Sequence, residues 1–244
     1  MIMLDINKNH IEKFEEIKKK FFFKTEVPKE NNWKQRANNN IWLGLITQVI
    51  VVGGSAPADK FDKDEEIKNE VSYENLVKVD NKDELKKKIN KVLRAVGTRY
   101  ASSDISKCRK TNALVHNLMV LKNIKGGPKG LLKRLSEFEG NNGDKRKIKY
   151  FMKIFRFIQS KSARDNLMSL GLVKNAVALD VRIQNVFKKV CIQLPKGFEN
   201  NSKLYDEIEK DILTKICQPL GLYGIQFDRM LYQNYKEIME LKFE

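Results

Sequence analysis

Two residue types able to carry covalent chemistry stand nineteen positions apart. They are Lys161, in Phe157-Ile-Gln-Ser-Lys161-Ser-Ala-Arg-Asp, and Asp180, in Ala178-Leu-Asp180-Val-Arg-Ile183. A neutral lysine amine attacks an electrophilic carbon and ends as a Schiff base; a carboxylate beside it stabilises cationic character and moves protons. The positive end of a helix dipole favours the neutral amine over the ammonium. A tight turn at Gln159-Ser160 leads into a helix expected from Lys161 to Leu170, ended by Gly171. Asp180 then opens a helix through Val190, where an aspartate serves as an N-cap. Each residue also has a plain structural reading, because a lysine at a helix start is usually solvated and an Asp before a helix is usually a cap. Residue type alone does not choose.

The elements that must hold this pair are helical. Ile11, Phe14, Ile17 and Phe21 recur at helical spacing, with Lys and Glu on the other face. Ile41 to Val52 is apolar nearly all round and so reads as buried, ended by Gly53-Gly54. From about Lys60 to Lys91 both charge signs are dense, which predicts exposed helices separated by Asn81, with Leu85, Ile89, Val92 and Leu93 as the apolar face. After a turn at Gly97 a long helix is expected from about Ser103 to Leu121, and Gly126-Gly127-Pro128 reads as a break. Short helices follow at Leu131 to Phe138 and Ile148 to Phe157, separated by a stop at Gly140-Asn141-Asn142-Gly143. The chain closes with helices at Ser202 to Cys217 and Ile225 to Leu241. Strand signals are sparse, and the expected class is all-α.

Composition narrows the partners. The 244 residues carry 47 Lys+Arg against 31 Asp+Glu, a formal charge of +16, which favours a polyanion because each neutralised phosphate releases counterions. A Lys-rich solvated surface, a ribosome-associated protein and a membrane-surface binder compete with that reading. Cys108, Cys191 and Cys217 lie far apart without a CxxC pair, which argues against zinc ribbons, disulfide frameworks and four-cysteine clusters. With only His10 and His116 as further ligands, no metal and no organic cofactor is expected. Lys8, Glu12 and Glu15 interrupt any leader-like run, and the apolar stretch at 41–52 is too short to span a bilayer. A cytoplasmic protein, nucleoid-associated in a prokaryote, is the expectation.

The segment from Phe157 to Ile183 resembles the helix–hairpin–helix DNA glycosylases, most closely the compact archaeal-type 8-oxoguanine DNA glycosylases. Their second hairpin helix opens with Lys, then Ala two residues on, Leu-x-x-x-Gly, an apolar patch and an Asp before a basic turn. Here these are Lys161, Ala163, Leu167, Gly171, Ala178-Leu179-Asp180 and Arg182. Trp42 to Ile50 resembles the buried helix that ends at a DNA-wedging loop. Gly97-Thr-Arg99-Tyr100, with Lys107 and Arg109, resembles a Gly-x-Arg-Tyr helix start. Phe227-Asp228-Arg-Met-Leu231-Tyr232 resembles the closing Leu-Asp-x-x-Leu-Trp/Tyr helix. The matches run in family order over about Trp42 to Tyr235.

This resemblance implies a bifunctional glycosylase and AP lyase acting on an oxidised purine, 8-oxoguanine, in double-stranded DNA. The nucleotide would be flipped out of the stack, with Lys161 as nucleophile and Asp180 as catalytic carboxylate. It implies one domain over 1–244 with two helical lobes, 1–60 plus 200–244 and 61–199, the hairpin lying at the cleft between them. Gln159, Ser160, Arg182, Gly53 and Ser55 would contact DNA, and Trp42, Phe227, Asp228 and Tyr232 would line the base pocket. Aromatics at helical spacing also read as core, and Asp228 also reads as a cap. The protein is expected to act as a monomer away from membranes.

The sequence departs from the family pattern twice. The hairpin normally reads Gly-hydrophobic-Gly-x-Lys, whereas Phe157-Ile-Gln159-Ser160-Lys161 holds neither glycine. The wedge loop, which commonly carries Gln or Asn, has Gly53, Gly54 and Ser55. A glycosylase for another damaged base, a non-catalytic DNA-binding member and an unrelated helical RNA-binding protein are the rival readings.

Overall fold

The computed structural model describes residues 4–140 and 142–243. Asn141, inside the helix stop expected at 140–143, lies outside them. Among the described residues there is no strand, and the fold is all-α.

The chain divides into two compact units, Met1–Asn31 with Gln159–Glu244, and Asn32–Ile158. The approximate lobes expected at 1–60 plus 200–244 and 61–199 draw the line elsewhere, since 32–60 falls in the second unit and 159–199 in the first. The charged helices after residue 60 bury Phe61, Leu85, Ile89 and Leu93 in the second unit. Composition on the outer face of an amphipathic helix says nothing about which core its inner face joins.

The first unit holds α1 (Lys8–Phe21), α10 (Ser160–Ser169), α11 (Val181–Lys189), α12 (Ser202–Ile212), α13 (Gly224–Gln233) and α14 (Tyr235–Glu240). Helix α12 runs on through a π turn, Leu213–Cys217. The apolar stripe of α1 places Phe14, Ile17 and Phe21 in a core with Ile183, Val186, Phe187, Ile208, Ile212 and Phe227. Phe14, Phe187 and Phe227 pack ring on ring, with centroids 5.2 to 6.2 Å apart. Aromatic trios of this kind bury large area and add directional contacts. They fix α11 and α13 against α1.

The second unit holds α2 (Asn38–Ile50), α3 (Ala56–Lys63), α4 (Glu65–Glu70), α5 (Tyr73–Leu76), α6 (Lys82–Ala95), α7 (Arg109–Lys122), α8 (Gly127–Ser136) and α9 (Gly143–Ile154). Helix α2 is central and packs on α3, α5, α7 and α8, as its nearly continuous apolar surface requires. Its Trp42 is fully buried and donates Nε1–H to the Val71 carbonyl at 2.9 Å.

Several boundaries differ from expectation for local reasons. Helix α7 begins at Arg109, because Asp104 caps a separate 3-10 turn at Ile105–Lys107. Gly126-Gly127-Pro128 is a helix start: Gly126 at φ 84° is the N-cap, and Pro128 lies in the first turn, where a missing N–H costs nothing. Helix α9 starts at Gly143 and ends at Ile154, and the last expected helix is two, interrupted at Asn234.

Candidate active site

Lys161 stands in the first turn of α10, with its side chain 36 % exposed. Its Nζ lies 3.6 Å from Asp165 Oδ2 one turn on. Asp165 is shared, for its Oδ1 also accepts from Arg229 at 2.9 Å. The Arg229 guanidinium donates to Ser169 Oγ as well and lies 3.5 Å from Asp228. A cation held beside a shared carboxylate is a loose arrangement. It keeps the amine placed without burying it.

Asp180 is the N-cap of α11: its Oδ1 accepts the Ile183 N–H at 2.9 Å, and the residue is half-buried. The cap uses one carboxylate oxygen and leaves the second for other work. Arg182, two residues on, is exposed and lays its guanidinium over the Tyr232 ring at 4.6 Å from the centroid. Tyr232 is 38 % exposed, so this stacked pair is at the surface.

The backbone that leads the chain into Asp180 is held at every step. Val177 N–H donates to Glu209 Oε1 at 2.9 Å, Ala178 N–H to Asp228 Oδ2 at 2.6 Å, and Leu179 N–H to Tyr205 Oη at 2.7 Å. The Tyr205 hydroxyl in turn donates to the Val177 carbonyl at 3.1 Å. Three successive backbone donors are thus met by buried side chains of α12 and α13, as irregular backbone in a core demands. Glu209 also takes a two-point bond from Arg164, Nε to Oε1 and a terminal nitrogen to Oε2, both 2.7 Å. Arg164 is 1 % exposed, donates to the Ser160 carbonyl at 3.0 Å and sits 4.3 Å over the Tyr205 ring. Burial disfavours its charge, but Glu209 outweighs that and holds the guanidinium protonated. Burial also pushes the Asp228 carboxyl up to about 7; Arg229 pulls against the rise and Asp165 adds to it.

Arg164, Tyr205 and Glu209 are not among the residues expected at the site. A signal for them exists, because Glu209 stands among Tyr205, Ile208 and Ile212 on the buried face of α12. Arg164 likewise falls among Ala163, Leu167 and Met168 on α10. A charge in apolar phase is a buried pair in waiting.

The remaining expected residues separate by burial. Phe227 is fully buried in the aromatic trio and Trp42 in the α2 core, so neither presents a face to a base. Asp228 is 1 % exposed and committed to Ala178 and Arg229, which makes it a brace behind the Asp180 turn and not an open pocket wall. Ser160, expected to contact DNA through its side chain, is 3 % exposed. Gln159 is exposed, but its backbone N–H is taken by Ser162 Oγ at 2.9 Å.

The hairpin turn keeps its left-handed residue without glycine. Phe157 adopts φ 60°, and the guanidinium of Arg109 lies 5.6 Å from its ring centroid. Buried Asn117 clamps the preceding residue from both sides: Arg156 N–H donates to Asn117 Oδ1 at 2.8 Å, and Asn117 Nδ2 donates to the Arg156 carbonyl at 3.1 Å.

In the other unit, Gly53 at φ 98° and Gly54 at φ 149° form an exposed turn with Ser55 ahead of α3. The turn follows a C-terminus closed by fully buried Lys110, whose Nζ donates to the Ile50 and Val52 carbonyls at 3.0 and 2.6 Å.

No family model and no curated protein matches the sequence. Solved structures do match in fold. The 8-oxoguanine DNA glycosylase of Thermotoga maritima superposes with TM-score 0.57 at 21 % identity, covering 92 % of this chain and 90 % of that one. The 8-oxoguanine DNA glycosylase of Methanocaldococcus jannaschii gives TM-score 0.61 at 19 % identity, over 93 % and 96 %. A second structure from that organism, an 8-oxoguanine glycosylase/lyase in complex with 15mer DNA containing 8-oxoguanine, gives 0.60 at 18 %, over 95 % and 99 %. The chain has the fold of these 8-oxoguanine DNA glycosylases along nearly its whole length.

Proposed function

We propose that the protein is a base-excision DNA glycosylase with AP lyase activity that removes 8-oxoguanine from double-stranded DNA. The observation that carries this reading is the placement of Lys161 and Asp180 at the starts of two helices of one unit, with the backbone before Asp180 locked in place. That placement occurs in a fold shared with glycosylases of this substrate.

The chemistry follows from the two groups. With the damaged nucleotide flipped out of the duplex, the Lys161 amine attacks the sugar C1′ and the glycosidic bond breaks. The base leaves with a proton. Ring opening gives an imine between Lys161 and C1′. Loss of a C2′ proton then expels the 3′ phosphate by β-elimination, and water hydrolyses the imine to free the lysine. Asp180 stabilises the positive charge that develops at the sugar and relays protons. No cofactor enters.

Exposed Gln159 and Arg182 are the groups of this unit we assign to DNA phosphates, together with the backbone at the start of α10. Tyr232 is an exposed aromatic and is assigned to stacking on a flipped base. The Gly53–Ser55 turn is assigned to the wedge. The protein is taken to work as a monomer on damaged duplex DNA in the cytoplasm or nucleoid. Among the described residues no helix is long and apolar enough to cross a membrane.

Borohydride trapping on a duplex with a single 8-oxoguanine tests the reading, with wild type, Lys161→Gln and Asp180→Asn side by side. Wild type is expected to give a covalent adduct that Lys161→Gln lacks. Absence of an adduct on both 8-oxoguanine and abasic duplexes rejects the lyase and leaves a DNA-binding protein.

A second reading, the same chemistry on another damaged base, is favoured by the burial of Trp42, Phe227 and Asp228, which leaves the purine-specific contacts unassigned. Trapping on an abasic duplex without trapping on 8-oxoguanine selects it.

A further inference from the structure

We infer that Arg164, Glu209 and Tyr205 form a positioning device that sets the Lys161 amine against the Asp180 carboxylate. This rests on the glycosylase reading.

The connection is short and buried throughout. The Ser160 carbonyl, in the peptide bond that leads into Lys161, accepts from Arg164 at 3.0 Å. Arg164 grips both oxygens of Glu209 at 2.7 Å. Glu209 Oε1 accepts the Val177 N–H at 2.9 Å, three residues before Asp180. Tyr205 closes the same segment from the other side, its hydroxyl held by Leu179 N–H at 2.7 Å and donating to the Val177 carbonyl at 3.1 Å, while its ring lies under Arg164. One pair of side chains therefore touches the backbone next to the nucleophile and the backbone leading to the carboxylate. A free loop before Asp180 would leave the distance between the two groups loose. Instead the segment is pinned at three consecutive amides, those of Val177, Ala178 and Leu179.

A displacement of about 1 Å between reacting groups costs on the order of a hundredfold in rate, whereas binding energy spread over a DNA interface hardly notices it. A device that only stabilised the fold would lower the folded fraction and leave the rate of the folded enzyme unchanged. The two roles separate in a single-turnover assay.

The test compares wild type with Tyr205→Phe, Glu209→Gln and Arg164→Lys on duplexes carrying 8-oxoguanine and an abasic site. Excision rate, borohydride trapping, DNA Kd and Tm are measured for each. Tyr205→Phe keeps the ring and removes only the hydroxyl, so it is the variant expected to fold if the other two do not. Leu93→Ala, in the core of the second unit, serves as the control for lost stability alone. The expected result is a tenfold to hundredfold fall in single-turnover rate, roughly as misplacement predicts, with Kd unchanged and no such fall in Leu93→Ala. Folded variants that excise at the wild-type rate overturn the positioning role and leave the glycosylase reading intact. Failure of wild type itself to trap on either duplex overturns both.

Discussion

Lys110 closes the C-terminus of α2 by donating to the Ile50 carbonyl at 3.0 Å, and it also meets the Val52 carbonyl at 2.6 Å, a buried side chain placed immediately before the Gly53-Gly54 turn. The last carbonyls of a helix need donors, and a cation there also meets the negative end of the dipole. Burial lowers the Lys110 pKa from 10.5 to about 8. The folded value lies below the unfolded one, so the contribution to stability is full above about 10.5 and is lost as pH falls through about 8. Stability should therefore rise between pH 8 and 10, by at most about 3 kcal/mol from this group. In Lys110→Met that rise should flatten relative to wild type, as read by chemical unfolding at each pH. Parallel curves for the two proteins would remove Lys110 as the cause.

Asp180 caps α11, and substitution can separate that role from the catalytic one proposed for it. Its Oδ1 caps α11 through the Ile183 N–H. Asparagine caps about as well as aspartate, whereas alanine costs about 1 kcal/mol. Asp180→Asn should therefore melt within about 2 °C of wild type, and Asp180→Ala a few degrees lower. Both should lose excision to a similar extent, because neither offers a carboxylate. An Asp180→Asn enzyme that keeps wild-type turnover would assign the residue to capping alone.

Asp228 predicts a fall in stability with pH. Its folded pKa is raised from 3.8 to about 7, chiefly by burial. A raised carboxyl stabilises most below the unfolded value, and that contribution is lost as pH rises through about 7. The loss is at most about 4 kcal/mol. Asp228→Asn keeps an acceptor for the Ala178 N–H and cannot titrate, so its stability should decline less between pH 4 and 7. Urea unfolding across that range checks it, and an identical decline in the variant excludes Asp228.

Local pattern carries the helices, whereas Lys161 and Asp180 are singled out by the resemblance alone. Apolar residues at helical spacing mark a buried face whatever the tertiary context, so α1, α2 and α12 are legible. Partnership across the chain is not. Arg164 meets Glu209 from 45 positions away, and neither neighbourhood names the other. Trp42 and Phe227 are expected at a pocket because aromatics can stack on bases, yet their helical phase places both in cores. The unit boundaries stay hidden for the same reason, since helical period does not report which core a helix enters.

Phe157 leads to the last prediction. Its backbone is left-handed at φ 60°, a conformation that costs a bulky residue about 1 to 2 kcal/mol and glycine little. Phe157→Gly relieves that cost. It also forfeits the contact with Arg109, worth about 0.5 to 1 kcal/mol, and frees the unfolded chain by a similar amount. The terms nearly cancel, so Tm should move by no more than about 3 °C. Asn117→Ala, which removes both bonds to Arg156, should cost about 1 to 3 kcal/mol. A glycine at this turn also lets a phosphate approach the backbone more closely, so Phe157→Gly should bind undamaged duplex severalfold more tightly at fixed salt. Calorimetry and a fluorescence titration with duplex DNA measure the two effects. A drop in Tm of more than about 8 °C would show that the packing of the Phe157 ring outweighs its backbone strain, and unchanged affinity would exclude the turn from the DNA contact.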